Sequence, residues 1–188
     1  MTRIVFVALI LLVAAERLGE LARSRRNLRR ALARGGREVG HGHYPWMVGV
    51  HAAFLVAAPL EVLVLRRPFV PALAAPMVAL LALAMALRYW AIAALGERWN
   101  TRVVVVPGEP AIVGGPYRFV RHPNYLAVVI EMFALPLVHT AWLTALVFSA
   151  ANAVLLAVRV RSEERALASA GDYRSRLGDR PRFLPGAF

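Results

Sequence analysis

Long apolar blocks broken by arginine clusters constrain this chain more than any other feature. Five blocks can be drawn: Thr2–Ala22, Tyr44–Leu65, Pro71–Leu95, Pro123–Val138 and Ala141–Val160. A helix needs about 20 apolar residues to cross a bilayer, and four blocks reach or approach that length. The fourth is short, which predicts a tilted helix or one that begins in the headgroup region. A soluble core needs no such runs. The 59% hydrophobic content also exceeds the ~45–50% of ordinary soluble domains. The expected fold is therefore all-α: a polytopic membrane protein of about five transmembrane helices.

The first block, Ile4–Ala15 at its core, has the length of a signal-peptide apolar region. It is followed by Glu16-Arg17-Leu18-Gly19-Glu20 rather than a small-residue cleavage site, so it is expected to be a retained helix. All 23 basic residues are arginine and the net charge is +12. The arginines lie between the apolar blocks, so membrane topology explains them better than nucleic-acid binding. The loop after the first block carries Arg23, Arg25, Arg26, Arg29, Arg30, Arg34 and Arg37. The segment between blocks three and four carries Arg98, Arg102, Arg118 and Arg121, and the C-terminal tail is also arginine-rich. The positive-inside rule places all three in the cytoplasm, with the N-terminus outside and the C-terminus inside. In a bacterium this is the inner membrane. Arg66 and Arg67 are the only discord.

The chain lacks cysteine, which excludes disulfides, thiolate catalysis and cysteine-bound metal. The five histidines, at 41, 43, 51, 122 and 139, show no metalloprotease spacing, so no metal site is expected. The chain divides into residues 1–95, with the first three blocks and the arginine-rich loop, and residues 96–188. Between blocks three and four, Arg102-Val103-Val104-Val105-Val106 predicts a short extended piece ended by Pro107-Gly108. The tail from Arg161 continues the fifth helix and breaks near Gly171.

Three constellations could carry chemistry. The first is Gly114-Gly115-Pro116-Tyr117-Arg118-Phe119-Val120-Arg121-His122-Pro123-Asn124-Tyr125, a polar knot at the mouth of an apolar helix. Pro123 suits a first helical turn, and the free N–H groups beyond it suit an anion. If the helix began early, Arg118, His122 and Tyr125 would share a face. The bland alternative is snorkelling arginines and a capping histidine. The second is a polar stripe on the fifth helix, Asn152, Arg159 and Glu163, with Glu164 beside it. Spacings of 7 and 4 put the stripe on nearly one helical line. It would either meet a ligand or hold an Arg159–Glu163 ion pair. The third is a set of ionisable residues in or near the spans: Glu16, Glu20, His51, Arg88 and Glu131. Glu131 is either a general base or a partner of Arg88 or Arg17. It faces away from His122, nine residues earlier. Trp99 and Asn100 are candidate substrate contacts, with Trp99 alternatively an interfacial belt residue. Asn100 and Arg102 would share a strand face.

Gly115-Pro116-Tyr117-Arg118, then Arg121-His122-Pro123-Asn124-Tyr125, then Arg159 and Glu163-Glu164 resemble the isoprenylcysteine carboxyl methyltransferase family of integral-membrane enzymes. The N-terminal half, through Arg17, Glu20, Arg25-Arg26-Asn27, Gly35-Gly36 with Glu38, and His43-Tyr44-Pro45, resembles a bacterial branch whose members O-methylate long-chain alkylpyrones and alkylresorcinols. The resemblance implies S-adenosylmethionine bound from the cytoplasm by Gly115, Tyr117, Arg121, His122, Pro123, Tyr125, Arg159, Glu163 and Glu164. The acceptor it implies is a lipophilic small molecule taken from the bilayer, with a substrate side in residues 1–95 and a cofactor pocket in residues 96–188. Glu131, His51 and Arg102 are the candidate catalytic groups. A phenolic acceptor, with a pKa near 10, would profit from a base, whereas a carboxylate acceptor would need none. The rival readings are an NADPH-dependent membrane reductase of related helical architecture and a non-catalytic lipid-binding protein.

Overall fold

The computed structural model describes residues 2–183. Helix α1 spans Arg3–Ala33, α2 Tyr44–Val64, α3 Pro71–Leu95, α4 Pro123–Leu137, α5 Trp142–Ala170 and the short α6 Tyr173–Leu177; β1 is Arg37–Val39 and β2 is Val103–Val105. The all-α expectation holds. The two three-residue strands form a small antiparallel ribbon that pairs Arg37 with Val105 and Val39 with Val103. The extended piece predicted at 102–106 is therefore present. Its partner is far away in sequence.

Local chemistry sets most helix ends. The Thr2 hydroxyl accepts from Val5 N at 3.3 Å and starts α1. Pro45, Pro71 and Pro123 lie in the first turns of α2, α3 and α4, where a missing backbone donor costs nothing. Gly96, at φ +56°, ends α3. Helix α1 runs eleven residues past the predicted edge at Ala22, because arginine is a good helix former and the arginine-rich stretch simply continues the helix. That extension has a use. Buried Ser24 and Asn27 bind the 99–101 segment: Ser24 Oγ donates to Asn100 Oδ1 at 2.7 Å and Asn27 Nδ2 to the Trp99 carbonyl at 2.8 Å.

Helices α2, α3 and α5 are long and apolar enough to cross a membrane. Helix α4 has 15 residues, which at 1.5 Å per residue is only ~22 Å. Glu16, Arg17 and Glu20 interrupt the apolar part of α1. Leu11, Leu12, Val56, Leu83, Leu146 and Val154 all point outward, more than half exposed. Large apolar side chains facing out on every long helix belong in lipid rather than water, and the chain is an integral membrane protein. Helix association in lipid rests on close packing of small residues. Ala58, Ala84, Ala91 and Ala134 are all 0–1% exposed. Phe6, Phe54, Met132 and Leu135 fill the core beside them.

Two polar devices hold the bundle. At the end away from the arginine-rich segments, the Glu61 carboxylate accepts from Leu143 N at 3.2 Å and from the Thr144 N and hydroxyl at 2.7 Å each. One helix thus caps the N-terminus of another. Arg67 pairs with the same carboxylate at 2.8 Å and lies over the Trp142 ring, which explains the arginine that fitted the topology rule poorly. Farther along, Glu20 binds Arg88 at 2.5 Å and Arg17 at 2.7 Å. Glu131 stands 3.4 Å from Arg17 and 3.9 Å from Arg88. This cluster joins α1, α3 and α4.

Candidate functional site

The 96–122 segment, the arginine-rich end of α5, α6 and the β2 ribbon line a half-open cavity whose empty space, open solvent at the mouth included, is ≈ 1190 Å³. Val104, Val105, Ile112, Leu167 and Leu177 supply apolar wall. Trp99, Asn100, Tyr117, Arg121, His122, Asn124, Tyr125, Glu163 and Tyr173 supply polar groups.

Each polar group is held by an identifiable constraint. His122 precedes Pro123 and caps α4 with non-helical dihedrals. Its ring stacks on Tyr125 with centroids 5.3 Å apart, and its Nε2 lies 3.1 Å from Glu164 Oε1. The same carboxylate is bound by Arg121 at 3.0 Å and Arg182 at 2.7 Å. Glu164 lies one turn beyond Val160, where the apolar part of α5 ends. Burial alone would raise its pKa, but the hydrogen bonds from His122 and Arg182 and the charge of Arg121 outweigh that and hold it at about 2. The Tyr125 hydroxyl donates to Glu163 and accepts from Arg159 Nε at 2.6 Å. Arg159 Nη2 also donates to the Thr101 carbonyl at 2.6 Å. The expected i, i+4 pair of Arg159 and Glu163 is therefore bridged by a phenol rather than formed directly. Backbone bonds from Arg121 N to the Pro181 carbonyl (2.9 Å) and from His122 N to the Arg182 carbonyl (3.0 Å) lay the tail against the motif. Burial raises the pKa of the Tyr117 and Tyr173 phenols, with Glu163 and Glu164 adding to it, so both remain neutral donors.

Eight buried side-chain polar atoms lack a hydrogen-bond partner among the described residues. Four of them belong to residues that line this cavity: Trp99 Nε1, Arg121 Nε, Asn124 Oδ1 and Tyr173 Oη. Buried polar atoms are ordinarily paired, so four such atoms on residues that line one space make it the candidate place for a polar ligand.

Several expected residues stand elsewhere. Gly115, at φ +57°, faces α3; an added Cβ would come within 2.8 Å of Ala94 Cβ. Its requirement is helix packing, and it does not line the cavity. Pro123 is buried at the helix start and Arg159 behind Tyr125, so both build the wall from outside. Arg118 does not share a face with His122, because α4 begins only at Pro123; it is exposed and lies over the Phe119 ring. Trp99 is 2% exposed and points inward, so it is not a belt residue. The Asn100 carboxamide is committed to Ser24 and to Arg102 N at 3.0 Å.

The three candidate catalytic groups do not line the cavity. Glu131 belongs to the Arg17–Arg88 cluster. Arg102 pairs with Glu38 at 2.6 Å and lies over the Tyr44 ring. His51 sits on α2 with Nδ1 2.8 Å from the Met47 carbonyl, and Met47 Sδ meets Arg159 Nη1 at 3.4 Å. Sequence reasoning missed Asn124 as a ligand group, together with Tyr173 and its neighbour Asp172. Asp172 accepts from Ala111 N at 2.7 Å and pulls the 110–112 segment over the cavity. That contact spans the chain, and no local pattern announces it.

The sequence profile of the isoprenylcysteine carboxyl methyltransferase (ICMT) family matches residues 77–169, the stretch that carries most of this geometry. The uncharacterized protein YpbQ of Bacillus subtilis (strain 168) is 37% identical over 163 residues, covering 86% of this chain and 96% of its own length. An uncharacterized protein of Haemophilus influenzae is 30% identical over 156 residues, covering 82% of this chain and 90% of its own. Both similarities extend well beyond the profile-matched stretch.

Proposed function

Because this chain belongs to the isoprenylcysteine carboxyl methyltransferase family, we propose that it uses S-adenosylmethionine to methylate a hydroxyl, or a carboxyl, of a lipophilic acceptor taken from the bilayer. An acceptor resembling a long-chain alkylpyrone or alkylresorcinol suits this reading. The observation that carries it is the cavity with four unpartnered buried polar atoms at the arginine-rich ends of α4 and α5. Donors at Trp99, Arg121 and Tyr173 match a carboxylate and ribose oxygens. The acceptor oxygen of Asn124 and the carboxylate of Glu163 match an amine or a ribose diol. The apolar wall from Val104 to Ile112 matches a purine face. These groups fit S-adenosylmethionine, with His122, Tyr117 and Glu164 shaping the pocket. When bound, the cofactor supplies a methyl group on a sulfonium.

The protein's part is alignment, water exclusion and, for a hydroxyl acceptor, proton removal. Tyr125, which lines the cavity, packs with Leu156, Val160, Met47 and Phe183, an apolar cluster suited to keeping water from that wall. Arg159, held by Tyr125 and the Thr101 carbonyl, fixes the Tyr125 hydroxyl from behind the cavity wall. The Met47 carbonyl can only accept, so His51 Nδ1 carries the ring proton and Nε2 of the neutral ring has a free lone pair. His51 lies outside the cavity, on the Met47 side of Arg159, so we assign its Nε2 as proton acceptor for a hydroxyl that enters from the bilayer on that side, Glu131 to the helix-joining cluster, and Arg102 with Glu38 to fixing the ribbon behind the cavity. The arginine distribution supports a cavity mouth on the cytoplasmic side and an N-terminus outside.

S-adenosylhomocysteine, added to detergent-purified protein, is expected to raise the melting temperature while NADPH leaves it unchanged. Lipid extracts of cells expressing the protein should contain a species heavier by one methylene than in cells lacking it. Stabilisation by NADPH alone would replace this reading with a reductase. Binding of neither cofactor would leave a lipid-binding protein.

A further inference from the structure

Behind the Glu164 carboxylate, on the side away from the main cavity, lies a second groove. It is lined by Arg121, Arg161, Arg165, Arg174 and Arg182 around the single acid Glu164. Glu164 is spoken for by Arg121 and Arg182. Arg161, Arg165 and Arg174 are exposed and have no carboxylate within 4.0 Å among the described residues. Five guanidinium groups around one carboxylate leave a strong local excess of positive charge. Arginine binds phosphate oxygens in bidentate fashion.

The groove's position selects the source of the phosphate. Arg161 follows Val160, the last residue of the apolar part of α5, and Arg165 is one turn on. The groove therefore begins where the hydrocarbon ends, at the depth of lipid phosphates. We propose that this groove binds the phosphate of an anionic phospholipid headgroup. It shares Arg121 and Tyr173 with the main cavity, so the headgroup sits directly beside the methyl-donor pocket. The assignment stands on charge and position, and holds whether or not the chain transfers methyl groups.

The test is titration of the detergent-purified full chain with phosphatidylglycerol, phosphatidylcholine or inorganic phosphate, read by native mass spectrometry. Three proteins are compared: wild type, R161A/R165A/R174A, and R25A/R26A/R29A, which removes three exposed arginines elsewhere. Phosphatidylglycerol should bind wild type and the distant variant alike, and the groove variant on the order of a hundredfold more weakly. Phosphatidylcholine should not compete. Equal losses in both variants would show diffuse attraction and overturn the site. Equal binding of phosphatidylcholine would overturn the charge argument. Inorganic phosphate displacing the lipid at equal concentration would give the groove to a free anion. If the triple variant does not fold, R165A alone should weaken phosphatidylglycerol binding about fivefold, and no change there would equally overturn the site.

Discussion

The ion cluster between α1, α3 and α4 and the cavity beside α4 and α5 use the same kinds of residue to opposite ends. In the cluster, Glu16, Glu20 and Glu131 surround Arg17 and Arg88, and nearly every charged atom meets a partner within the protein. Among the described residues Arg17 Nε is the cluster's one fully buried atom without a hydrogen-bond partner, and Glu131 meets Arg17 and Arg88 as an ion pair at 3.4 Å and 3.9 Å. At the cavity, the charged groups are just as well tied (Arg159 to Tyr125, Glu164 to Arg121 and His122), yet four of the lining residues each carry a buried atom without a hydrogen-bond partner among the described residues. Charge inside a membrane protein does not by itself mark function, because a saturated network is a joint between helices. Unspent hydrogen-bonding capacity around a shared space is the better sign of a ligand.

The comparison breaks or sharpens at four points. The largest effect belongs to the joint. Glu20→Ala strands Arg88 and Arg17, and should destabilise the detergent-solubilised protein by about 3–5 kcal/mol in thermal or denaturant unfolding. A loss below the size of a surface substitution would show the cluster to be incidental. Next, Tyr125→Phe removes the hydroxyl between Arg159 and Glu163. Leaving two buried charges unbridged should lower methyl transfer roughly 10–100-fold in a labelled-methyl assay, with a smaller fall in melting temperature than Glu20→Ala. Third, Asn124→Leu deletes an atom that has no partner in the folded chain. The ligand-free protein should melt no lower than wild type, while S-adenosylhomocysteine binds about tenfold more weakly by calorimetry. A destabilised ligand-free variant would mean Asn124 is structural after all.

The smallest effect is in pH. Burial works to raise the Glu164 pKa, but the hydrogen bonds from His122 and Arg182 and the charge of Arg121 hold it at about 2 in the folded chain, below the ordinary 4.5. An acid with a lowered folded pKa adds stability that is fully present above its unfolded pKa and is lost as pH falls from there toward the folded value. The melting temperature of wild type should therefore drop between about pH 5 and pH 2 by more than that of Glu164→Gln. Parallel curves would remove Glu164 from the network that positions His122.

The sequence made the helices legible where proline meets an apolar block. The apolar blocks begin where the helices do, at Tyr44, Pro71 and Pro123, and a proline in each first turn suits that position. The expected end of α1 at Ala22 marked a change in composition, and an arginine-rich stretch changes composition without breaking a helix. The pairing of Arg37–Val39 with Val103–Val105 was hidden because three-residue strands carry almost no periodic signal and their partners lie more than sixty residues apart. The knot at 115–125 stood out because Gly, Pro, Arg and His crowd together there. Which of its members reach the cavity depended on where α4 starts, so Tyr117, Arg121, His122 and Tyr125 line it while Arg118 and Gly115 turn away. Tyr173 and Asp172 join the site only because the chain folds back after Gly171.

The brevity of α4 carries a consequence for access. Its fifteen residues fall about 8 Å short of the hydrocarbon thickness, and its Val138 end is packed against α5 at the far side. The His122 end is consequently recessed, like the floor of a shallow harbour cut into the lipid. A water-borne molecule can descend to that floor and a greasy one can drift in sideways, and the two meet without either leaving the phase in which it is soluble.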